Sequence, residues 1–312
     1  MQRRTVLSAL TAAVGASALP LVPETSRAAP AAKPGPAFTL CLNMSTIRGH
    51  KLGFARELET AAKAGFRSVE IWMDSLQAFV KTNAPADARQ RAADLGLTLE
   101  NAIGFAPWIV DDEAVRQQGL DQMKREMELL AQIGCKRVAA PAIGAHSPGS
   151  PKVDLYKAAE RYRTLLELGD QTGVVPQLEL WGFSANLNKL SEVLFVAVES
   201  GHPSARVLLD VYHLYKGGSS LDTLKLVGKP AMDIFHVNDY PAGLTPAAIT
   251  DADRVYPGDG VAPIQSILKT IKDPTRPLVV SLEVFNAGYY AQDAAVVART
   301  ALARMQRMIA GV

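Results

Sequence analysis

Eight short apolar runs alternate with longer amphipathic stretches along this chain, and this alternation most constrains its fold. Short apolar runs are typical of parallel strands that are buried on both faces, whereas the longer stretches have helical periodicity. The runs predicted as strands are residues 38–42, 68–72, 97–103, 137–140, 174–180, 205–209, 233–237 and 278–284. The predicted helices include residues 54–64, 114–133, 156–172, 187–200 and 264–271, with 293–309 as the last.

The number of strand–helix repeats and the chain length favour a closed barrel. Four glycines, Gly65, Gly96, Gly134 and Gly173, stand shortly before predicted strands, where helices often end in a left-handed residue. About 280 residues follow the N-terminal segment described next, which suits a (β/α)8 barrel of about 250 residues. The alternative, a doubly wound open sheet, usually has a Gly-rich phosphate loop after its first strand, and residues 43–49 lack that pattern. We therefore predict an α/β fold, a single-domain (β/α)8 TIM barrel over residues 33–312.

The first 32 residues have the pattern of an export signal. Arg3 and Arg4 precede an apolar run over residues 6–22, and small residues follow over 26–32. Paired arginines before a short apolar run are typical of a twin-arginine signal peptide. An ordinary secretory signal and an uncleaved anchor are the alternatives. We expect an exported, periplasmic protein without stable membrane insertion.

Charge and cysteine content argue against two classes of site. The formal net charge is +2, and the chain has no basic stripe of the kind that nucleic-acid binding requires, so no nucleic-acid partner is expected. Its two cysteines, Cys41 and Cys135, form no C-x-x-C pair, which argues against a thiolate metal site. We expect two small buried side chains, with a disulfide as the alternative.

Ionisable residues stand at the ends of four consecutive predicted strands. Catalytic groups of such barrels lie at the C-terminal ends of the strands. A single acid there is more often a salt-bridge partner, but four such residues on successive strands favour one divalent cation, because an unpaired buried carboxylate is costly. The ligand types suit Mn²⁺, Mg²⁺ or Co²⁺, and Zn²⁺ also fits. The four predicted metal ligands are Glu179, Asp210, His236 and Glu283.

From residue 38 to the last helix, the chain resembles the xylose isomerase-like TIM barrel superfamily, in its sugar isomerase/epimerase family. The motifs that carry the resemblance are residues 57–72, Asp210-x-x-His213, His236-Val237-Asn238-Asp239 and Arg254-x-x-Pro257-Gly258-Asp259-Gly260. The resemblance implies that the four strand-end residues bind one metal and that His213 and Arg254 contact substrate oxygens. It also implies metal-assisted proton transfer, with Glu179 and Glu283 as catalytic residues on opposite sides of the substrate carbon.

Other residues near predicted strand ends are weaker candidates for the same site. Glu70, His146 and Trp181 are expected to contact substrate. Trp72, Phe105 and Trp108 could form an apolar wall or simply pack in the core. Asp239 is expected to support a metal ligand, and His50 and His202 are expected at the surface.

These observations predict a metal-dependent sugar isomerase or epimerase that acts on a carbohydrate or polyol. A lyase or hydrolase acting on 3-keto-glycosides is the alternative, because it would use the same metal and base. A DNA-repair endonuclease of the same superfamily is disfavoured, since that branch needs three zinc ions and many histidines, and this chain has five histidines. A catalytically silent binding protein is disfavoured by the intact carboxylate set. The resemblance also leaves a homo-oligomer open.

Overall fold

The computed structural model describes residues 36–273 and 275–312, whose centre is a closed barrel of eight parallel strands in sequential order. The first and last strands pair directly, with Cys41 opposite Ser281. The strands are β1 (Phe38–Asn43), β2 (Ser68–Trp72), β3 (Thr98–Ile103), β4 (Arg137–Ala140), β5 (Val175–Glu179), β6 (Arg206–Asp210), β7 (Ile234–Val237) and β8 (Leu278–Leu282). The predicted single-domain (β/α)8 barrel is confirmed, and the predicted signal peptide lies outside the described residues.

Helices connect the strands and surround the barrel. They are α1 (Ser45–Arg48), α2 (Phe54–Ala64), α3 (Met73–Val80), α4 (Pro85–Asp94), α5 (Glu113–Ile133), α6 (Leu155–Thr172), α7 (Leu190–Glu199), α8 (Val211–Lys216), α9 (Ile264–Ile271), α10 (Ala287–Tyr290) and α11 (Ala294–Ile309). The six predicted helices are present, with ends shifted by up to three residues. None of the helices in the described part of the chain combines the length and the apolar character that a membrane span requires.

The sequence pattern did not predict the two helices between β2 and β3. α3 begins directly after Trp72, so no loop signal separates it from the strand. α4 begins at Pro85, whose missing N–H costs nothing in the first turn of a helix, and Asp87 accepts the N–H of Ala84. Only α4 therefore has an ordinary helix-start signal, and a search for long amphipathic stretches does not detect either of these short helices.

Both cysteines are buried and free within the described residues, which agrees with the expectation of small core side chains. Burial raises the pKa of Cys135 to about 12, so its thiol stays protonated at neutral pH.

Tyr162 fastens α6 to two barrel strands. The ring is fully buried, and its hydroxyl oxygen lies 2.9 Å from the carbonyl oxygen of Pro176 in β5 and 2.8 Å from that of Arg206 in β6. The same oxygen accepts the backbone N–H of Arg206 at 3.2 Å. One hydroxyl therefore satisfies polar backbone groups of both strands that supply Glu179 and Asp210.

We expect Tyr162→Phe to lower the free energy of unfolding by about 1–3 kcal/mol, because buried strand groups lose their hydrogen-bond partner while the ring stays packed. Urea unfolding followed by circular dichroism measures the change. Tyr156→Phe is the matched control, because Tyr156 is 60% exposed in the same helix. Equal stability of the two variants would contradict this account of Tyr162.

Candidate metal and substrate site

The barrel strands place the four predicted metal ligands at one rim. Glu179 and Asp210 are the last residues of β5 and β6, His236 lies in β7, and Glu283 directly follows β8. Each of the four residues is at most 4% exposed. Their position follows from the fold, because parallel strands of a barrel all end at the same face.

Three of the four side chains form a group that could hold a metal ion. One ligand atom each from Glu179, His236 and Glu283 lies within 4.8 Å of the other two. His236 Nδ1 is 3.3 Å from Glu283 Oε2 but outside hydrogen-bond geometry. Both Nδ1 and Glu179 Oε2 are buried without a hydrogen-bond partner among the described residues. Buried polar atoms without partners are uncommon, and a divalent cation would satisfy both of them. The residues therefore fit a divalent metal.

Asp210 lies beside this group rather than within it. Its Oδ2 is 4.0 Å from His236 Nδ1 and accepts hydrogen bonds from Asn238 Nδ2 at 2.8 Å and Arg254 Nη1 at 3.4 Å. Its Oδ1 accepts the backbone N–H of His213 and so caps α8. The carboxylate therefore adjoins the three-residue group, and both of its oxygens already accept hydrogen bonds from the protein.

Glu70 occupies a different place from the one predicted. It is fully buried in β2, and its Oε2 lies 3.0 Å from His236 Nε2, so it lies behind the imidazole and does not line the pocket. Asn43 and Asn101 donate hydrogen bonds to the same carboxylate at 3.2 and 2.9 Å. A carboxylate on one ring nitrogen orients an imidazole and leaves the other nitrogen for a metal. Glu70 therefore turns His236 Nδ1 toward the carboxylates.

Asn43 links this buried support to the rim, and the sequence pattern did not single it out. Its Nδ2 donates to Glu283 Oε1 at 3.1 Å as well as to Glu70, and its Oδ1 accepts the indole N–H of Trp72 at 2.9 Å. The residue lies at the end of β1, where it could have been counted with the other strand ends. An amide is a weaker signal than an acid because many strand-end amides only complete turns.

A pocket of about 310 Å³ is bounded by Glu179 and Glu283 on its polar side. Five rings form a continuous wall along it, with neighbouring ring centroids 5.2–6.1 Å apart. The members of this aromatic wall are Phe285, Trp72, Phe105, Trp181 and Phe183. Three of them were candidates from the sequence, whereas Phe183 and Phe285 were not.

Two further candidates support the wall or the core instead of lining the pocket. Trp108 is fully buried and donates its indole N–H to the carbonyl oxygen of Pro141, so the core-packing alternative holds for it. His146 packs edge-on against Trp181 with 5.5 Å between ring centroids, and it is not among the residues that line the pocket. The structure therefore places His146 behind Trp181.

His213 and Arg254 both line the pocket, and they touch each other. His213 Nε2 lies 3.1 Å from Arg254 Nη2, and the backbone N–H of Gly182 reaches His213 Nδ1 at 3.2 Å. A side chain at Gly182 would have its Cβ only 2.2 Å from the carbonyl oxygen of His213, so this close approach requires glycine. Arg254 also donates to Glu283 Oε2 at 2.7 Å.

The expected role of Asp239 is wrong, because its carboxylate contacts no metal-ligand candidate. It accepts the backbone N–H groups of Tyr240, Gly258 and Ala262. Asp239 therefore holds the segment between β7 and α9, which carries Arg254.

The two glutamates differ in their affinity for protons. Burial raises the pKa of Glu179 to about 8, and the charge of Glu283 adds to the rise. At Glu283 burial acts in the same direction, but the charges of His236 and Arg254 outweigh it and lower the pKa below its usual range. Burial and Arg254 also lower the pKa of His213 well below its usual value, so this imidazole is neutral at pH 7. Paired acids with separated pKa values are typical of acid–base sites.

We expect Glu70→Gln to weaken metal binding about 10–100-fold, because the amide cannot orient the His236 imidazole as the carboxylate does. Isothermal titration with Mn²⁺ and Zn²⁺ measures the affinity. Glu126→Gln is the control, since Glu126 is a buried glutamate of α5 that hydrogen-bonds Gln77 and Gln122. Wild-type affinity in Glu70→Gln would contradict the assigned position of this carboxylate.

The chain is similar to characterised relatives along most of its length. An inosose isomerase of Bacillus licheniformis is 26% identical over 269 residues, covering 84% of this chain and 94% of the relative. A 3-dehydroshikimate dehydratase of Pseudomonas putida is 27% identical over 255 residues, covering 75% of this chain and 36% of the relative. Each similarity covers three quarters of this chain or more.

Solved structures show the same fold. The IolI protein with a bound zinc atom has a TM-score of 0.80 at 22% identity, covering 88% of this chain and 98% of that one. An L-ribulose 3-epimerase has a TM-score of 0.69 at 17% identity, covering 88% and 95%. The family model for the xylose isomerase-like TIM barrel matches residues 58–308. This chain therefore belongs to the xylose isomerase-like TIM barrel family.

Proposed function

We propose that this protein is a metal-dependent isomerase or epimerase that moves a proton beside the carbonyl group of a sugar or a cyclic polyol ketone. One observation carries the proposal: Glu179 and Glu283 line one pocket, lie within 4.8 Å of each other and of His236, and have pKa values shifted in opposite directions. A base and an acid at one carbon are what a proton shift between two positions or two faces requires.

The side chains at the rim have different roles in the proposed reaction. Glu179, His236 and Glu283, with Asp210 beside them, would hold one divalent cation, and that cation would supply Lewis acidity toward the carbonyl group of the substrate. Glu179 and Glu283 share the proton transfer: one of them accepts the substrate proton and the other returns a proton. His213 and Arg254, at the pocket wall, donate hydrogen bonds to substrate oxygens and stabilise the negative charge that develops there.

The relatives support this reaction class and leave one alternative. Four inosose isomerases are among the similar proteins, and their name implies a cyclic polyol ketone as substrate. The dehydratase relative supports an elimination instead, in which the same proton is removed and a leaving group is then expelled. A lyase or hydrolase on a 3-keto-glycoside or related oxidised sugar is therefore the second candidate.

Proton exchange in heavy water tests the proposal. We expect the Mn²⁺-loaded protein to place deuterium beside the carbonyl of inososes or ketoses, and Glu179→Gln or Glu283→Gln to slow this exchange about 100-fold or more. Proton NMR measures the exchange, and the identity of the product separates isomerisation from elimination.

Glu126→Gln again serves as the control, because it removes a buried carboxylate outside the site. Exchange that persists in both site variants would refute the acid–base assignment. Absence of exchange and of metal binding in the wild type would favour a binding protein without catalysis.

The N-terminal segment supports the proposal that the enzyme works in the periplasm. We expect Arg3→Lys with Arg4→Lys to retain the protein in the cytoplasm, because the export machinery recognises the paired arginines as an address. Cell fractionation of the full chain measures the distribution, and Arg27→Lys, outside the pair, is the control. Unchanged export of the double variant would show that a twin-arginine signal is not used.

A further inference from the structure

The pocket wall contains one guanidinium group, and carboxylates already neutralise it. Among the pocket-lining residues in the described ranges, Arg254 is the one Lys or Arg. Its Nη1 lies 2.7 Å from Glu283 Oε2 and 3.4 Å from Asp210 Oδ2, and its Nη2 donates to Asp251 Oδ1. A ligand anion would therefore have to compete with three carboxylates for this cation.

Aromatic rings restrict where the guanidinium can turn. The side chain of Arg254 is 1% exposed, and its Cζ lies 4.2 Å from the ring centroid of Tyr212 and 5.2 Å from that of Phe285. Cation–π contacts of this kind favour the observed orientation. These rings therefore help to hold the guanidinium in its orientation toward the carboxylates.

The carboxylates also outnumber the cation at the pocket. Three of them, those of Glu283, Asp210 and Asp251, contact the one guanidinium. An anionic ligand would meet an unfavourable potential in a partly desolvated pocket, and such repulsion is strong at short range.

The remaining walls suit an uncharged ring. The aromatic wall offers ring faces on which a cyclic polyol can stack, and the pocket volume of about 310 Å³ is at the small end of the range for ligand sites. The walls thus favour one six-membered ring over a larger glycoside, and their charge favours a neutral ring over a carboxylated one.

Asp251 pairs with Arg254 and so contributes to the charge at the pocket, but it is not one of the predicted metal ligands. Its side chain is 41% exposed at the pocket, whereas the other three carboxylates are buried at the strand ends. Asp253, two residues further on, contacts Thr250 instead, accepting its N–H and hydroxyl at 2.8 and 2.7 Å. The two aspartates of one short 3-10 helix therefore differ in whether they pair with Arg254.

We propose that Asp251 determines specificity: by neutralising Arg254, it makes the pocket select an uncharged cyclic polyol ketone over a ring that carries a carboxylate. The inference rests on the proposed function, because it takes this pocket to be the substrate pocket. The inference concerns the charge of the substrate, which the proposed reaction class does not specify.

Two ring ligands that differ in charge test the proposal. Shikimate carries a ring carboxylate, and its primary carboxamide is a neutral analogue of nearly the same shape. Titration calorimetry with the Mn²⁺-loaded full chain gives both dissociation constants. We expect the wild type to bind the amide at least about tenfold more tightly than the carboxylate, and Asp251→Asn to reduce that preference about tenfold by improving carboxylate binding.

Asp253→Asn is the matched control, because it removes the same charge from the same 3-10 helix and leaves the Asp251 carboxylate on Arg254. It should keep the wild-type preference. An unchanged preference in Asp251→Asn would overturn the proposal, as would a wild type that prefers the carboxylate or binds neither ring. Thermal unfolding of each variant verifies that the fold is intact, and the amide introduced by Asp251→Asn retains an oxygen that can accept from Arg254.

Binding and turnover separate this proposal from the proposed function. Deuterium exchange with an inosose, measured on the same samples, reports the proton transfer. Exchange without the expected change in ligand preference would refute the role of Asp251 alone. A changed preference without exchange in the wild type would refute the isomerase function and leave the charge selectivity standing.

Discussion

The arrangement of side chains at the rim of this barrel depends on the free-energy cost of burying negative charge. Glu179, Asp210 and Glu283 lie almost completely out of water at neighbouring strand ends, and such carboxylates are stable only beside cations or donors. Arg254 and His236 supply part of the compensation, yet within residues 36–273 and 275–312 Glu179 Oε2 and His236 Nδ1 still have no hydrogen-bond partner. The strands thus bring together a set of groups that a divalent cation completes, and the pocket, its pKa values and its charge all follow from that set.

Residues of the barrel strands lie on one side of this rim, and residues of the loop after β7 lie on the other side. Below it, Glu70 and Asn43 join the side chains of four strands through buried hydrogen bonds, so His236 and Glu283 are held by the barrel itself. Above it, Arg254 and Asp251 belong to the segment between β7 and α9, whose shape Asp239 fixes through backbone N–H groups. Preorganised ligands below and loop residues above are a common division in barrels, because strands hold positions more accurately than loops.

The sequence was sufficient for features that depend on local pattern. Apolar runs and helical periodicity predicted all eight strands, and the residue that ends a parallel strand must lie at the rim, so Glu179, Asp210, His236 and Glu283 could be found without a structure. Features that depend on contacts across the barrel could not. Glu70 and His236 are 166 residues apart, and only the curvature of the closed sheet places this carboxylate behind the imidazole. Phe183, Phe285 and Asp251 come from loops, whose paths no periodicity determines.

Isomerases and a dehydratase are both among the relatives, so the barrel does not by itself decide the substrate. The first steps of both reactions need a base beside an activated carbonyl group, and in the proposed function the acids at the strand ends supply that base. What remains for the loops is to decide which ring approaches those residues. In this chain the loop after β7 carries Arg254 at the pocket, and Asp251 of the same loop forms an ion pair with it. A guanidinium that is paired with a carboxylate still donates hydrogen bonds to hydroxyl groups, but it attracts an anion less strongly. This difference would let the pocket distinguish a polyol from an acid.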